Sequence, residues 1–213
     1  MTIRWRCLAA LVAVLALLIS SLSAGPAQPL GDQAKPMSGK LTDPRGDVKP
    51  SVQLPTPPDL VAATIEVGQG VFTLTISFAR GTLSPQTSVT VYLDTDENPS
   101  TGEKTFKTDR APIGADYVIR GLQPHDPARA SLTHQTGPDQ QDFNGIVNVT
   151  TPAPDTRRIE LPLSRLGNDD GRLTFKVMCA QVVNVTQTDQ RSTQTIVYAD
   201  TMPNVDGKPG VVK

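Results

Sequence analysis

One short segment of the sequence carries residue types that bind hard metal ions. Asp94, Asp96 and Asn98 alternate directly after an apolar stretch, and this spacing is typical of the first oxygen ligands of a calcium loop. An EF-hand would have Gly at the sixth position and Glu at the twelfth. Here those positions are Pro99 and Thr105, so the segment is not an EF-hand. Two interpretations remain open: a cation site, or a solvated acidic turn built from good turn formers.

Asp116 is the residue expected to complete such a cation site. The strand that ends before Asp94 and the strand that begins at Asp116 are joined by a connection far longer than the ~2–5 residues of an ordinary hairpin. If these strands are antiparallel neighbours, opposed residues at their ends lie ~5 Å apart. Two ionised carboxylates at that distance repel each other, whereas Ca²⁺ accepts about six to eight oxygen ligands. Because the loop has no His or Cys, calcium is favoured over zinc, with Asp94, Asp96, Asn98 and Asp116 as predicted metal ligands.

Motifs for catalysis are missing from the sequence. The chain has two histidines, His125 and His134, and no nucleophile elbow, His-Glu-x-x-His motif or phosphate loop. We therefore expect no catalytic residues and no enzyme activity. An alternative is that Asp94 and Asp116 form the carboxylate pair of a glycoside hydrolase. Another is a haem ligand at Met178, on the outer face of its predicted strand, although no Cys-x-x-Cys-His motif accompanies it.

Apolar residues alternate with polar ones along much of the chain, which predicts strands with one face in a core. The whole chain contains nineteen prolines, and no helical pattern exceeds two turns. Short strands with Pro/Gly turns predict an all-β fold, an antiparallel β-sandwich of immunoglobulin or jelly-roll type. The clear strands are 72–78, 89–93, 159–163 and 173–179, and the weaker ones are 60–67, 116–120, 129–135, 145–150 and 195–198.

The two ends of the chain differ in composition from the middle. Residues 1–27 combine two arginines, an apolar run and small residues, the pattern of a secretory signal peptide. We expect cleavage between Ser23 and Ala27, a flexible linker at 28–42, a β-sandwich domain at 43–203 and a disordered tail at 204–213. The mature protein is then secreted, to the medium, the periplasm or the cell surface. No second apolar stretch is long enough to span a membrane.

Removal of the signal peptide changes both the charge and the cysteine content. Two arginines leave with it, which moves the formal net charge from −1 to about −3. This balance argues against nucleic acid as a partner, because a basic face is the usual footprint of such binding. Cys7 and Trp5 also leave, so Cys179 is the one cysteine of the mature chain. The domain therefore lacks an internal disulfide.

Several short motifs occur in a fixed order along the chain. They are Asp43-Pro-Arg-Gly-Asp47, Pro58-Asp59-Leu60, Tyr92-Leu-Asp-Thr-Asp-Glu-Asn-Pro-Ser-Thr-Gly102, Gly114-Ala-Asp-Tyr-Val118, Arg158-Ile-Glu-Leu-Pro-Leu-Ser-Arg-Leu166 and Ala199-Asp-Thr-Met-Pro203. Together they resemble the DOMON-like β-sandwiches of exported bacterial proteins, which are related to family-nine carbohydrate-binding modules, over roughly residues 43–203. The resemblance implies structural calcium on Asp94, Asp96 and Asp116, and a polysaccharide or cell-surface component as partner. Family-nine modules hold sugar between Trp rings, and the mature chain has no Trp.

The sequence thus predicts an exported, non-catalytic β-sandwich with a calcium-type site and a binding or structural role, with a glycan as the partner that the resemblance suggests. A small secreted hydrolase that uses the Asp-rich loop is the first alternative. A haem-binding electron-transfer domain of DOMON type is the second. These readings differ in what the purified protein would bind or release.

Overall fold

The computed structural model describes residues 36–50, 54, 56–104, 112–122, 130–135, 141–167, 169–186, 192–204 and 207–213. These residues form two antiparallel sheets that pack together, so the predicted all-β sandwich is confirmed. The signal peptide, the first part of the predicted linker and His125 lie outside the described residues. Within the described part of the chain, no helix is long and apolar enough to cross a membrane.

The first sheet has five strands among the described residues, in the order β1-β2-β3-β11-β10. All neighbouring pairs in it are antiparallel. The Gln69–Gly70 turn joins β2 to β3 as a tight hairpin. The strands are β1 (Met37–Thr42), β2 (Leu60–Gly68), β3 (Val71–Phe78), β10 (Asn148–Ala153) and β11 (Thr156–Pro162).

The second sheet is larger and carries the Asp-rich loop. Its order is β13-β12-β4-β7-β8-β9, and β14 pairs with β12. A short ladder of β5 (Glu103–Lys104) with β6 (Gly114–Ala115) lies between β4 and β7 in the chain. The strands of the large sheet are β4 (Thr87–Asp94), β7 (Tyr117–Arg120), β8 (Ser131–His134), β9 (Gln141–Asn144), β12 (Leu173–Thr186), β13 (Ser192–Met202) and β14 (Gly210–Val212).

The core lies between the two sheets, as the alternating pattern predicts. Each strand places every second residue inward, and these residues form one continuous apolar cluster. Ile65 and Leu74 face it from the first sheet, and Leu93, Ile119 and Phe175 face it from the second. Burial of such side chains stabilises a fold by roughly 1.5–3 kcal/mol each relative to exposure. The core therefore holds the sandwich together without a disulfide, and it also holds the strand ends that carry the acidic residues.

The structure corrects the predicted boundaries at both ends of the domain. The segment to Thr42 was expected to be a tether, but β1 pairs with β2 along its length and buries Leu41. The tail after 203 was expected to be disordered, but β14 pairs with β12 and buries Val212. The amide of Ser38 donates to the carbonyl of Lys213 at 3.2 Å. The two terminal strands thus stabilise each other, a long-range pairing that local composition does not reveal.

The clear strand predicted at 159–163 ends one residue early. The ladder stops at Pro162, and Leu163–Leu166 form a short 3-10 helix. Pro162 has no N–H to donate to a neighbour, which is why proline is confined to strand ends and edges. The weaker strands are present with shifted bounds, and β12 and β13 extend well beyond the predicted 173–179 and 195–198.

Cys179 lies on the core face of β12, as its parity predicted. It is fully buried, and its thiol lies 3.6 Å from the carbonyl oxygen of Pro58. Burial, with a further contribution from the charge of Asp200, raises the pKa of the thiol well above its usual value. A thiol in this state is a poor nucleophile, because the thiolate is the reactive form.

We therefore expect the folded protein to react with DTNB only very slowly, and the urea-unfolded protein to react at once. The measurement is the absorbance of released thionitrobenzoate over time, with the unfolded chain as the positive control. Full labelling of the folded, calcium-loaded protein within seconds would contradict this prediction.

Candidate cation site

The pairing of β4 with β7 brings Asp94 and Asp116 together. Leu93 pairs with Tyr117 across the antiparallel ladder, so the next residue of β4 faces the residue that precedes β7. The amide of Asp116 donates to the carbonyl of Leu93 at 2.9 Å, which anchors this end of the ladder. Asp94 and Asp116 are both buried, with exposed fractions of 2% and 4%. The predicted juxtaposition of these two carboxylates is therefore present.

The loop after β4 folds around the carboxylate of Asp116. Its Oδ2 accepts hydrogen bonds from the amide of Thr95 at 2.9 Å, from the Thr95 hydroxyl at 3.0 Å and from the amide of Asp96 at 3.2 Å. Three donors to one oxygen orient that carboxylate rigidly. Asp116 thus positions the start of the loop, in addition to being a candidate ligand.

Asp94 and Asp96 are oriented by the backbone of the same loop. The amide of Asn98 donates to Oδ1 of Asp94 at 3.1 Å and to Oδ1 of Asp96 at 2.9 Å. The hydroxyl of Thr101 lies within hydrogen-bond distance of both carboxylate oxygens of Asp96, at 3.1 and 3.0 Å, and of the Asn98 carbonyl oxygen, at 2.8 Å. As a result, oxygen atoms of Asp94, Asp96 and Asp116 all lie within 4.8 Å of one another.

Asn98 acts through its backbone more than through its side chain. Its side-chain oxygen accepts from the amide of Ser100 at 3.1 Å and from the Ser100 hydroxyl at 2.8 Å. Both lone pairs of that oxygen are therefore engaged inside the loop. The predicted role of Asn98 as a fourth ligand stays a prediction, whereas its role in orienting Asp94 and Asp96 is visible.

Two glycines let the loop close against β6. A Cβ on Gly114 would lie 2.5 Å from the carbonyl oxygen of Asn98 and would also meet the carbonyl oxygen of Thr101. A Cβ on Gly102 would meet the backbone carbonyl of Ala115, and Gly102 has a φ of +62°. Only glycine fits such a close backbone approach. The position of the loop over the carboxylates therefore depends on these two residues.

The electrostatics of the cluster favour a bound cation. Burial, together with the carboxylates of Asp96 and Asp116, raises the pKa of Asp94 from 3.8 to about 6, although the amide of Asn98 lowers it. Burial also raises the pKa of nearby Asp169, with contributions from Asp116 and Glu97. All of these neighbours are acidic, and a divalent cation would neutralise their repulsion. Every candidate donor is a carboxylate or carbonyl oxygen, the donor set that suits calcium.

The other residues considered for chemistry are placed by packing. His134 stacks on Tyr117, with ring centroids 4.4 Å apart. Met178 does lie on the outer face of the large sheet, but it is buried in a small apolar cluster with Tyr92 and Val118. Both positions follow from strand parity, and both side chains have a packing role.

No described aromatic side chain offers a stacking platform for sugar. All the aromatic rings whose side chains the structure describes are buried. They belong to Phe72, Phe78, Tyr92, Tyr117 and Phe175.

A second group of aspartates, which the sequence did not predict as a site, also lies close together. Carboxylate oxygens of Asp43, Asp47 and Asp200 also lie within 4.8 Å of one another. The signal for it was already present, because Asp43-Pro-Arg-Gly-Asp47 and Ala199-Asp200 are among the motifs that carry the family resemblance. Asp43 and Asp47 lie more than 150 residues before Asp200 in the chain, so their spacing in the sequence does not predict that they are close in the fold.

Comparisons with known proteins add no family assignment. No family model matches the chain, and a search of curated proteins finds no match.

Proposed function

We propose that this chain is an exported, non-catalytic β-sandwich module of the DOMON-like kind, with a calcium-type site at Asp94, Asp96 and Asp116. Its role is binding or structural, and a polysaccharide or another cell-surface component is its partner. The observation that carries the calcium proposal is the convergence of three carboxylates, two of them buried, from a strand end, a loop and the start of a neighbouring strand. Calcium would join these three segments and remove their mutual repulsion.

Calcium should stabilise the protein by mass action, because the site exists only in the folded state. A free concentration one hundred times the dissociation constant contributes about 2.7 kcal/mol. For a domain of this size we expect the melting temperature to rise by about 5–11 °C over its value in EDTA. The measurement is thermal unfolding followed by circular dichroism, with EDTA and calcium as the paired conditions.

Two variants assign the effect to the site. Asp94→Asn and Asp116→Asn keep the side-chain shape but remove the charge. Each should weaken calcium binding at this site at least tenfold. The part of the calcium-dependent rise in melting temperature that comes from this site should shrink accordingly. Glu66→Gln is the matched control, because Glu66 is exposed on β2 and its neutralisation should leave the shift unchanged. A melting curve that EDTA and calcium leave unmoved, with no metal found by elemental analysis, would make the loop a solvated acidic turn.

The non-catalytic part of the proposal has its own test. We expect purified protein to retain polysaccharide in a glycan screen without releasing reducing ends, and to show no Soret band. Release of reducing ends that Asp94→Asn abolishes would instead assign a hydrolase to the Asp-rich loop. A Soret band that persists through purification would assign a haem-binding domain.

A further inference from the structure

Three aspartates converge where the two sheets meet near the start of β2, and a fourth, Asp59, lies close enough for its charge to act on Asp43. Asp43 follows β1, Asp47 lies in the next turn, Asp59 precedes β2, and Asp200 lies in β13 of the other sheet. The carboxylate of Asp200 accepts from the amide of Leu60 at 2.7 Å, a hydrogen bond that crosses between the sheets. We call Asp43, Asp47, Asp59 and Asp200 the inter-sheet cluster.

Half of the carboxylate oxygens on three of these residues have no donor. The side-chain amide of Asn204 donates to Oδ1 of Asp43 at 3.1 Å and to Oδ2 of Asp47 at 2.6 Å. The amide of Gly46 donates to Oδ2 of Asp59 at 2.8 Å. The remaining oxygens, Oδ2 of Asp43, Oδ1 of Asp47 and Oδ1 of Asp59, are buried without a hydrogen-bond partner.

Asp59 is the most informative member of the cluster. Its side chain is 5% exposed, yet one carboxylate oxygen is unpartnered. The hydrogen bond from Gly46 holds this carboxylate against the turn between Asp43 and Asp47, and its charge acts on Asp43. An unsatisfied buried polar atom costs about 1–3 kcal/mol, and more for a charged group. A folded protein rarely retains several such atoms at one place unless a ligand satisfies them.

The charges that shift the pKa values of Asp43 and Asp200 all belong to other aspartates. The ion pairs among the described residues join other groups: Arg120 with Glu103, Arg158 with Glu160 and Arg172 with Glu97. Burial and the neighbouring aspartates raise the pKa of Asp43 to about 6. Burial, with the charges of Asp43 and Asp47, raises that of Asp200 to about 7. The described residues therefore bring these carboxylates together at one place, and the neighbouring charges that act on Asp43 and Asp200 come from other aspartates.

We propose that the inter-sheet cluster is a second divalent-cation site, of calcium type, separate from the site at Asp94. Carboxylate oxygens of Asp43, Asp47 and Asp200 supply the charged ligands, the unpartnered oxygen of Asp59 lies beside this group, and backbone carbonyls or water complete the shell of about six to eight oxygens. Calcium is favoured over zinc because the nearby Cys179 remains a protonated thiol and no described histidine adjoins the cluster. The cation cross-links the turn after β1 to both sheets.

The two sites are far enough apart to act independently. Along β12, Thr174 pairs with Asp94 and Cys179 pairs with Asp200. Five residues of strand separate these two positions, which corresponds to about 17 Å. Effects of substitutions at sites more than about 10 Å apart are usually additive. Binding at one site can therefore be measured in a protein whose other site has been removed.

The test counts bound calcium in the full chain by equilibrium dialysis and elemental analysis. We expect about two ions per chain for the unmodified protein, about one for Asp94→Asn, about one for Asp47→Asn and about none for the double variant. Glu66→Gln should bind as the unmodified protein does. If Asp47→Asn binds as much calcium as the unmodified protein, the inter-sheet site is overturned. If Asp94→Asn binds as much calcium as the unmodified protein while Asp47→Asn binds less, the inter-sheet site stands and the proposed site at Asp94 fails.

Cys179 provides a local reporter that distinguishes binding from misfolding. Its thiol contacts Pro58, the residue before Asp59. The charges of Asp200, Asp59 and Asp43 contribute to the raised pKa of this thiol. DTNB reaches the Cys179 thiol only when the structure around the cluster opens and the site is lost. Calcium at ten times its dissociation constant should therefore make labelling of this thiol about elevenfold slower. We expect this protection in Asp94→Asn and not in Asp47→Asn, with DTNB as the probe. Equal labelling rates with calcium and with EDTA in Asp94→Asn would overturn the proposal.

Discussion

Replacing Gly102 with alanine is expected to lower the free energy of unfolding by about 2–5 kcal/mol and to remove the calcium response of the Asp94 site. The left-handed backbone of Gly102 costs a side chain about 1–2 kcal/mol. The new Cβ would also meet the carbonyl of Ala115, and such overpacking costs about 1–3 kcal/mol. The loop must then move away from β6, and the amide of Asn98 moves with it. That amide orients both Asp94 and Asp96.

A matched substitution separates backbone strain from the lost contact. Gly81 has a φ of +76°, but a Cβ there would have nothing within 4 Å. Gly81→Ala should therefore cost only the backbone strain of about 1–2 kcal/mol and should leave the calcium response intact. Urea unfolding of both variants, with calcium and with EDTA, measures the difference. An unchanged calcium increment in Gly102→Ala would show that loop closure does not organise the site.

Replacing Phe175 with alanine is expected to lower the free energy of unfolding by about 3–5 kcal/mol. Phe175 is fully buried on β12 and lies in the main core. Its ring fills the space beside Gly210 of β14 and near Leu41 of β1, because a Cβ on Gly210 would meet both side chains. The substitution leaves a cavity under the two terminal strands, which therefore lose part of their shared packing.

The control for Phe175 lies on the adjacent terminal strand. Val211 is 37% exposed on β14, so Val211→Ala removes little buried surface and should cost well under ~1 kcal/mol. Denaturant unfolding at a fixed calcium concentration measures both variants. A loss for Phe175→Ala no larger than that for Val211→Ala would mean that the core does not depend on this ring.

The strands could be predicted from the sequence because their signal is local. In β3, β4 and the first half of β12, up to Cys179, an apolar residue occupies every second position, and a pleated strand turns that alternation into one buried face. The same local logic placed Cys179 in the core and Met178 on the opposite face. Parity is a property of neighbouring residues, and packing of the two sheets leaves it unchanged.

The proximity of Asp94 and Asp116 was predictable because it needed one long-range assumption. Once β4 and β7 are neighbours, the register places Asp94 beside Asp116. The role of Asn98 was not predictable in the same way, because the path of the loop backbone decides that its amide donates to Asp96 and that its side-chain oxygen accepts from Ser100. Residue type indicates which atoms can bind a metal, but the backbone path decides which of them face it.

The sequence by itself determined the class of fold, the parity of each long strand and the oxygen-rich chemistry of the Asp94 loop, because alternation and residue type act over a few neighbouring positions. Only the tertiary structure decided that Asp43, Asp47, Asp59 and Asp200 share one place and that the terminal strands β1 and β14 pair into the sandwich. The approach of Asp43 and Asp47 to Asp200, and the contact of Ser38 with Lys213, join residues more than 150 positions apart. Their stability comes from burying apolar surface between two sheets, a cooperative property that no short stretch of sequence carries.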